Sequence, residues 1–99
     1  MNTDKLKKII ERESYYFYTH CLTEARKDGI SPEDIIYCLL TGKIIEKYPE
    51  RKRVLIYGII LEHTPLHVVC DLSQKGVLFI VTCYIPDERQ WIKYKKRKR

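Results

Sequence analysis

The spacing of apolar residues changes at Gly42, and this change predicts the order of the secondary structure. Before Gly42, apolar residues recur at three- and four-residue intervals, which indicates helices over residues 4–28 and 32–41, the second one capped by Ser31. After Gly42, short β-prone runs separated by turns indicate strands between about residues 44 and 85. Helices followed by strands predict an α+β fold, with two N-terminal helices packed on one face of a three- to four-stranded antiparallel sheet.

Nearly all of the net charge is concentrated at the end of the chain. Residues 88–99 contain seven basic residues and one acidic residue, which gives +6, and the whole chain is also +6. A near-neutral body with a basic end that contains Trp91 and Tyr94 is typical of proteins that bind nucleic acid. The alternative is a solvated tail that only aids solubility. The 99 residues predict a single domain over residues 1–92, followed by a basic tail over residues 93–99.

Neither a membrane span nor an export signal is evident in the sequence. No apolar run approaches the length that crosses a bilayer, and the first residues lead into an amphipathic pattern. We therefore expect a cytoplasmic protein without a membrane partner. Nucleotide-binding loops and hydrolase motifs are also missing from the sequence, so no small-molecule cofactor is expected.

The four cysteines each occur in an apolar stretch and form no Cys-x-x-Cys pair. This pattern predicts buried, reduced thiols that pack as small apolar residues, at Cys21, Cys38, Cys70 and Cys83. A zinc site that combines them with histidines would need a ligand spacing that the chain does not show, so no metal is expected.

Strand alternation places His67, Thr82 and Tyr84 on the less apolar face of the predicted sheet. His67 and Tyr84 are therefore candidates for proton transfer, and catalysis would require both to be reachable by substrate. His20 is a third candidate, because Glu24 lies four residues further along the same helix face and could tune it. The alternative for each of these residues is a structural hydrogen bond.

Cations that could hold an RNA backbone occur in two parts of the chain. Lysine and arginine neutralise phosphates, and their clusters supply most nonspecific affinity for nucleic acid. The predicted phosphate-binding residues are Arg51, Arg53, Arg89, Lys93, Lys95 and Lys96. The alternative for the cluster around Arg51 is a solvated loop.

Several segments together resemble a small prokaryotic family of unknown function, often encoded beside MqsA-like (YgiT-type) zinc-finger antitoxins and similar to the RelE and BrnT toxins. The resemblance covers roughly residues 15–92. The segments that carry it are Thr19-His20, Gly29-Ile30-Ser31, Leu39 to Pro49, Pro65 to Cys70, Val81 to Asp87, and Trp91.

This resemblance implies a RelE-like fold and the toxin of a type II toxin–antitoxin system. Its expected activity is metal-independent cleavage of mRNA, with a cognate zinc-finger-type antitoxin as partner. The recurrent histidines and tyrosine of the family fall on His20, His67 and Tyr84. The chain departs from many relatives at Glu24 and Asp28, where they carry arginines. The alternative function is a non-catalytic module that binds RNA or protein.

Overall fold

Three helices cover one face of a five-stranded sheet in the computed structural model, which describes residues 2–98. The helices are α1 (Thr3–Glu11), α2 (Thr19–Lys27) and α3 (Pro32–Thr41). The strands of the sheet are β1 (Tyr15–Phe17), β2 (Lys43–Tyr48), β3 (Arg53–Ile60), β4 (Thr64–Asp71) and β5 (Leu78–Tyr84), and a separate two-stranded hairpin consists of β6 (Trp91–Ile92) and β7 (Lys96–Arg97). Within the described residues, no helix is long and apolar enough to cross a membrane.

The sheet order is β1-β5-β4-β3-β2, and every pair is antiparallel except β1 with β5. The α+β class is therefore confirmed. The prediction of three or four antiparallel strands is wrong in two respects. The sheet has five strands, and the additional strand β1, at one edge, is parallel to β5.

The predicted first helix over residues 4–28 is wrong, because strand β1 interrupts it. The helix ends at Glu11, and the chain turns at Glu13, whose φ of 57° is left-handed. The aromatic run that follows favours a pleated strand over a helix. Backbone hydrogen bonds fix this strand beside β5, including one from Tyr18 N–H to the Ile80 carbonyl at 2.9 Å. Residues 2–98 therefore contain three α-helices, and β1 separates α1 from the other two.

Helix α3 confirms the predicted bounds of 32–41. The Ser31 hydroxyl accepts a hydrogen bond from the Asp34 N–H, and the Asp34 carboxylate accepts one from the Ser31 N–H, so both ends of the capping box are made. Gly42 follows the helix with a φ of −85°, so a left-handed turn is not what requires glycine there. A Cβ at this position would lie 2.3 Å from the Tyr57 carbonyl oxygen, and this close approach excludes any side chain.

The main core lies between the helices and the sheet. It contains Leu6 of α1, Cys21 of α2, Leu39 of α3 and the inward residues of β3, β4 and β5. All four cysteines are buried and free, as the sequence predicted. Burial raises the pKa of Cys38 to about 12 and also raises that of Cys70, so these thiols stay protonated at neutral pH.

Candidate nucleic-acid interface

The sheet face opposite the helices, called the distal face below, carries three rows of side chains. Cross-strand partners in a sheet point to the same side, so the pairing register defines each row. The first row is Tyr16, Phe79, Asp71, Arg53 and Tyr48, and it crosses all five strands. The second row is Thr82, Val69, Leu55 and Glu46, and the third is Tyr84, His67, Tyr57 and Lys43.

The hairpin formed by β6 and β7 covers the third row. The Trp91 ring meets the His67 ring edge to face, with centroids 4.4 Å apart. The Tyr94 ring stacks on Tyr57 at 6.5 Å. Arg97 donates to the Glu46 carboxylate at 3.0 Å and lies 4.6 Å from the centre of the Trp91 ring. These contacts hold the hairpin against the sheet.

Residues 93–98 of the predicted tail therefore form part of this hairpin and its turn. The Lys98 N–H donates to the Gln90 carbonyl at 2.8 Å, which closes the hairpin at its base. Met1 and Arg99, which the predicted domain and tail include, lie outside the described residues. The boundary of the domain at residue 92 stays a prediction.

His67 is completely buried, and both ring nitrogens have partners. Its Nε2 lies 2.5 Å from the Tyr94 carbonyl oxygen, and its Nδ1 lies 3.2 Å from the Tyr84 hydroxyl. A carbonyl oxygen can only accept, so Nε2 carries a proton. In the neutral imidazole, Nδ1 then accepts from the Tyr84 hydroxyl. Because the hairpin covers the ring, His67 lacks the access to substrate that catalysis would require in this arrangement.

The pKa values of this pair follow from its burial. Burial lowers the pKa of His67, and the Tyr94 carbonyl and the Glu46 charge only partly offset that effect. Burial also raises the pKa of the Tyr84 hydroxyl. At neutral pH the pair is therefore an uncharged imidazole that accepts from a protonated phenol.

Acidification is expected to lower the free energy of unfolding, through His67. Its pKa in the folded protein is below the ordinary 6.5, so the unfolded chain takes up the proton first. The contribution of His67 to the free energy of unfolding is fully present above about pH 6.5. It is lost as the pH falls toward the lower pKa that His67 has in the folded protein. Urea unfolding at pH 7.5 and 5.5 should show a smaller pH effect in His67→Gln than in the wild type. His63→Gln, at an exposed histidine, is the control, and equal pH effects in wild type and His67→Gln would contradict the assignment.

Arg51 and Arg53 line one pocket at the other end of the distal face. The pocket has a volume of about 210 Å³, and its remaining lining residues are Tyr48, Glu50 and Val69. Arg53 donates from Nε to the Asp71 carboxylate at 3.1 Å. Burial acts to raise the pKa of Asp71, but hydrogen bonds from Ser73 and Arg53 outweigh it and hold that pKa below its usual range. The carboxylate is thus already engaged, while the exposed Arg51 is accessible to an anion.

The structure brings some of the predicted site residues together and separates others. His67 and Tyr84 are in contact. Arg53 is on the same face but in the first row, four residues along the paired strands from the third, so it is not beside the pair. His20 is exposed on α2, in the helix layer on the other side of the sheet, so it does not join them. The Glu24 carboxylate forms an ion pair with Lys27, with 3.3 Å between Oε1 and Nζ.

The remaining predicted cations lie at or near the hairpin. Lys93, Lys95 and Lys96 are exposed on it, and Arg89 is bound to Asp87 at 2.8 Å just before it. Sequence reasoning missed the contacts that Glu46 makes with Arg97, and Tyr57 with Tyr94, between the sheet and the hairpin. These depend on strand register and on pairing between distant segments, which no local pattern in the chain signals.

Across residues 2–98, no group of three or more histidine, cysteine or acidic side chains is placed to hold a metal ion.

One family model matches the chain, over residues 17–85, and its description is Domain of unknown function (DUF4258). The matched segment runs from the end of β1 to just after β5, and it includes His20, His67 and Tyr84 but not the hairpin. No curated protein and no solved structure gives a significant match. Because the matched segment is well over half of the 99 residues, the chain belongs to the DUF4258 family, a domain family of unknown function.

Proposed function

We propose that this protein binds RNA on its distal face, with the β6–β7 hairpin supplying much of the positive charge. The observation that carries the proposal is the placement of the hairpin, which brings the lysines from the end of the chain onto the same face as Arg51 and Arg53. Phosphate neutralisation by such cations is the main source of affinity for nucleic acid. The resemblance to ribonuclease toxins favours RNA over DNA.

Contacts of Arg97 and Tyr48 connect the hairpin lysines with the pocket of Arg51 and Arg53. Arg97 donates to the Tyr48 hydroxyl at 3.4 Å, and Tyr48 also lines the Arg51 and Arg53 pocket. Lys95 lies 5.8 Å from the centre of the Tyr57 ring, beside the third row. Lys96 points away from the sheet, since it pairs with Ile92, whose side chain is 47% exposed. A strand of RNA that follows these residues would meet both groups of cations, with the intervening Glu46 already paired with Arg97.

The test is the salt dependence of RNA binding. We expect Lys95→Gln/Lys96→Gln to weaken binding of an unstructured RNA and to reduce the slope of log K against log salt by about 1.4, since each phosphate contact to a single strand contributes about 0.7. The matched control is Lys5→Gln/Lys8→Gln, which removes the same charge from exposed positions on α1. Fluorescence anisotropy between about 50 and 300 mM salt measures both quantities.

Two results would contradict the proposal. One is a wild-type protein that binds no RNA at low salt. The other is an equal loss of affinity and slope in the hairpin and α1 variants, because binding would then depend on net charge and not on the distal face.

The His67–Tyr84 pair favours a second candidate function, metal-independent endoribonuclease activity on mRNA. Such cleavage needs a base for the ribose 2′-hydroxyl, an acid for the leaving 5′ oxygen and cations for the phosphate. His67 Nδ1 and the Tyr84 hydroxyl lie 3.2 Å apart, which makes them the candidate base and acid. Arg53 is on the same face but roughly 13 Å from His67 along the strands, so it could hold only a neighbouring phosphate. The Tyr94 carbonyl occupies His67 Nε2, so this activity requires the hairpin to leave the third row.

Under this second candidate the protein is a RelE-like toxin restrained by a cognate zinc-finger-type antitoxin. The three helices on one face of the sheet, with His67 and Tyr84 on the other, are consistent with that fold, while His20 lies in the helix layer. Induced expression with and without the neighbouring gene tests it, with growth and RNA integrity as readouts. Growth arrest with RNA cleavage, relieved by the neighbour, is the expected result, and unaffected growth would contradict it.

A further inference from the structure

Three aromatic side chains form an exposed cluster where β1 meets β5 on the distal face. Tyr16 stacks on Phe79 with ring centroids 5.9 Å apart and an interplanar angle of 29°, and Tyr18 meets Phe79 edge to face at 6.3 Å. Tyr16 is 60% exposed and Tyr18 is 42% exposed. The hairpin covers the third row at the opposite end of the face and leaves the two tyrosines exposed, with Phe79 half-buried beneath them.

The first row of the distal face connects the aromatic cluster with the arginine pocket. Phe79 pairs with Asp71, and Asp71 pairs with Arg53. Adjacent strands are about 4.8 Å apart, so Phe79 and Arg53 are separated by roughly 10 Å along the row. Asp71 lies between them, but its carboxylate already accepts from Arg53 and from the Ser73 N–H at 2.8 Å. An aromatic surface thus lies beside the arginine pocket, where Arg53 is paired with Asp71 and the exposed Arg51 lies near Glu50.

We propose that Tyr16, Tyr18 and Phe79 stack on unpaired bases of single-stranded RNA while Arg51 and Arg53 hold the adjoining phosphates. This inference rests on the proposed RNA binding and specifies its substrate class. Aromatic rings stack on bases that are splayed from a single strand, whereas bases in a duplex already stack on one another. The cationic residues at the other end of the row favour a polyanion over an apolar protein surface as the occupant.

Alanine substitution of the tyrosines tests the inference. We expect Tyr16→Ala and Tyr18→Ala each to weaken binding of an unstructured RNA by roughly 5- to 100-fold, the usual effect of losing one base stack. The salt slope should stay unchanged, because no charge is removed. Tyr16→Phe, which keeps the ring, should bind as the wild type does. Tyr37→Ala is the matched control, since this tyrosine is 55% exposed on α3 in the helix layer.

The outcomes separate this inference from the function on which it rests. Wild-type affinity in Tyr16→Ala and Tyr18→Ala, with weakened binding in Lys95→Gln/Lys96→Gln, would overturn the stacking and leave RNA binding intact. An equal effect of Tyr16→Ala on single-stranded and duplex RNA would also overturn the stacking on unpaired bases. A wild-type protein that binds neither RNA would overturn both proposals.

Discussion

Substitution of Trp91 by alanine is expected to lower the free energy of unfolding by about 3–5 kcal/mol, the usual cost of removing a buried large aromatic ring. Trp91 is only 3% exposed, although it lies near the end of the chain on a two-residue strand. Its ring contacts both the His67 ring and the Arg97 guanidinium. Removing it leaves the hairpin with few apolar contacts and uncovers His67.

Ile92→Ala is the matched control for Trp91→Ala. Ile92 is the next residue of the same strand, but its side chain is 47% exposed and points away from the sheet. Its substitution should cost less than about 1 kcal/mol. Urea unfolding measures the free energy of unfolding of both variants. Limited trypsin digestion should cut Trp91→Ala at the hairpin lysines before it cuts elsewhere, because the hairpin has lost the ring that holds it on the sheet. A loss below about 1 kcal/mol in Trp91→Ala would show that the ring does not hold the hairpin.

Local signals in the sequence were enough to predict helix α3 and the face of the His67–Tyr84 pair. Ser31 and Asp34 make their capping contacts within one turn, so the start of α3 depends on neighbouring residues alone. Strand alternation assigns His67 and Tyr84 to one face, and the register then places them opposite each other. In both cases a short pattern contains the information.

Strand β1 and the hairpin could not be predicted in this way, because distant residues determine them. Tyr16 is in a strand because it pairs with Phe79 of the adjacent strand β5, which lies far along the chain. The basic end of the chain shows no strand alternation, and it folds back through contacts of Trp91 and Arg97 with His67 and Glu46. The burial of His67 follows from this long-range packing and has no sequence signal of its own.

The endoribonuclease candidate predicts that His67→Gln and Tyr84→Phe each lower the cleavage rate by about a hundredfold or more, the usual effect of removing a general acid or base. Glutamine can still donate to the Tyr94 carbonyl, and phenylalanine keeps the ring of Tyr84, so both variants preserve packing while losing proton transfer. Because the hairpin covers His67, we expect faster cleavage in Trp91→Ala than in the wild type.

The test is the rate at which each variant cleaves a mixed-sequence RNA in the presence of a chelator. His67→Gln and Tyr84→Phe are compared both in the wild-type background and in the Trp91→Ala background. His63→Gln is the control, since this exposed histidine lies outside the proposed site. His20→Gln separately tests the predicted role of the helix histidine, which the fold places on the other side of the sheet. Full activity in both His67→Gln and Tyr84→Phe would remove the pair from the mechanism, because neither proton transfer would then depend on these side chains. Loss of wild-type activity on adding the chelator would instead indicate a metal-dependent reaction.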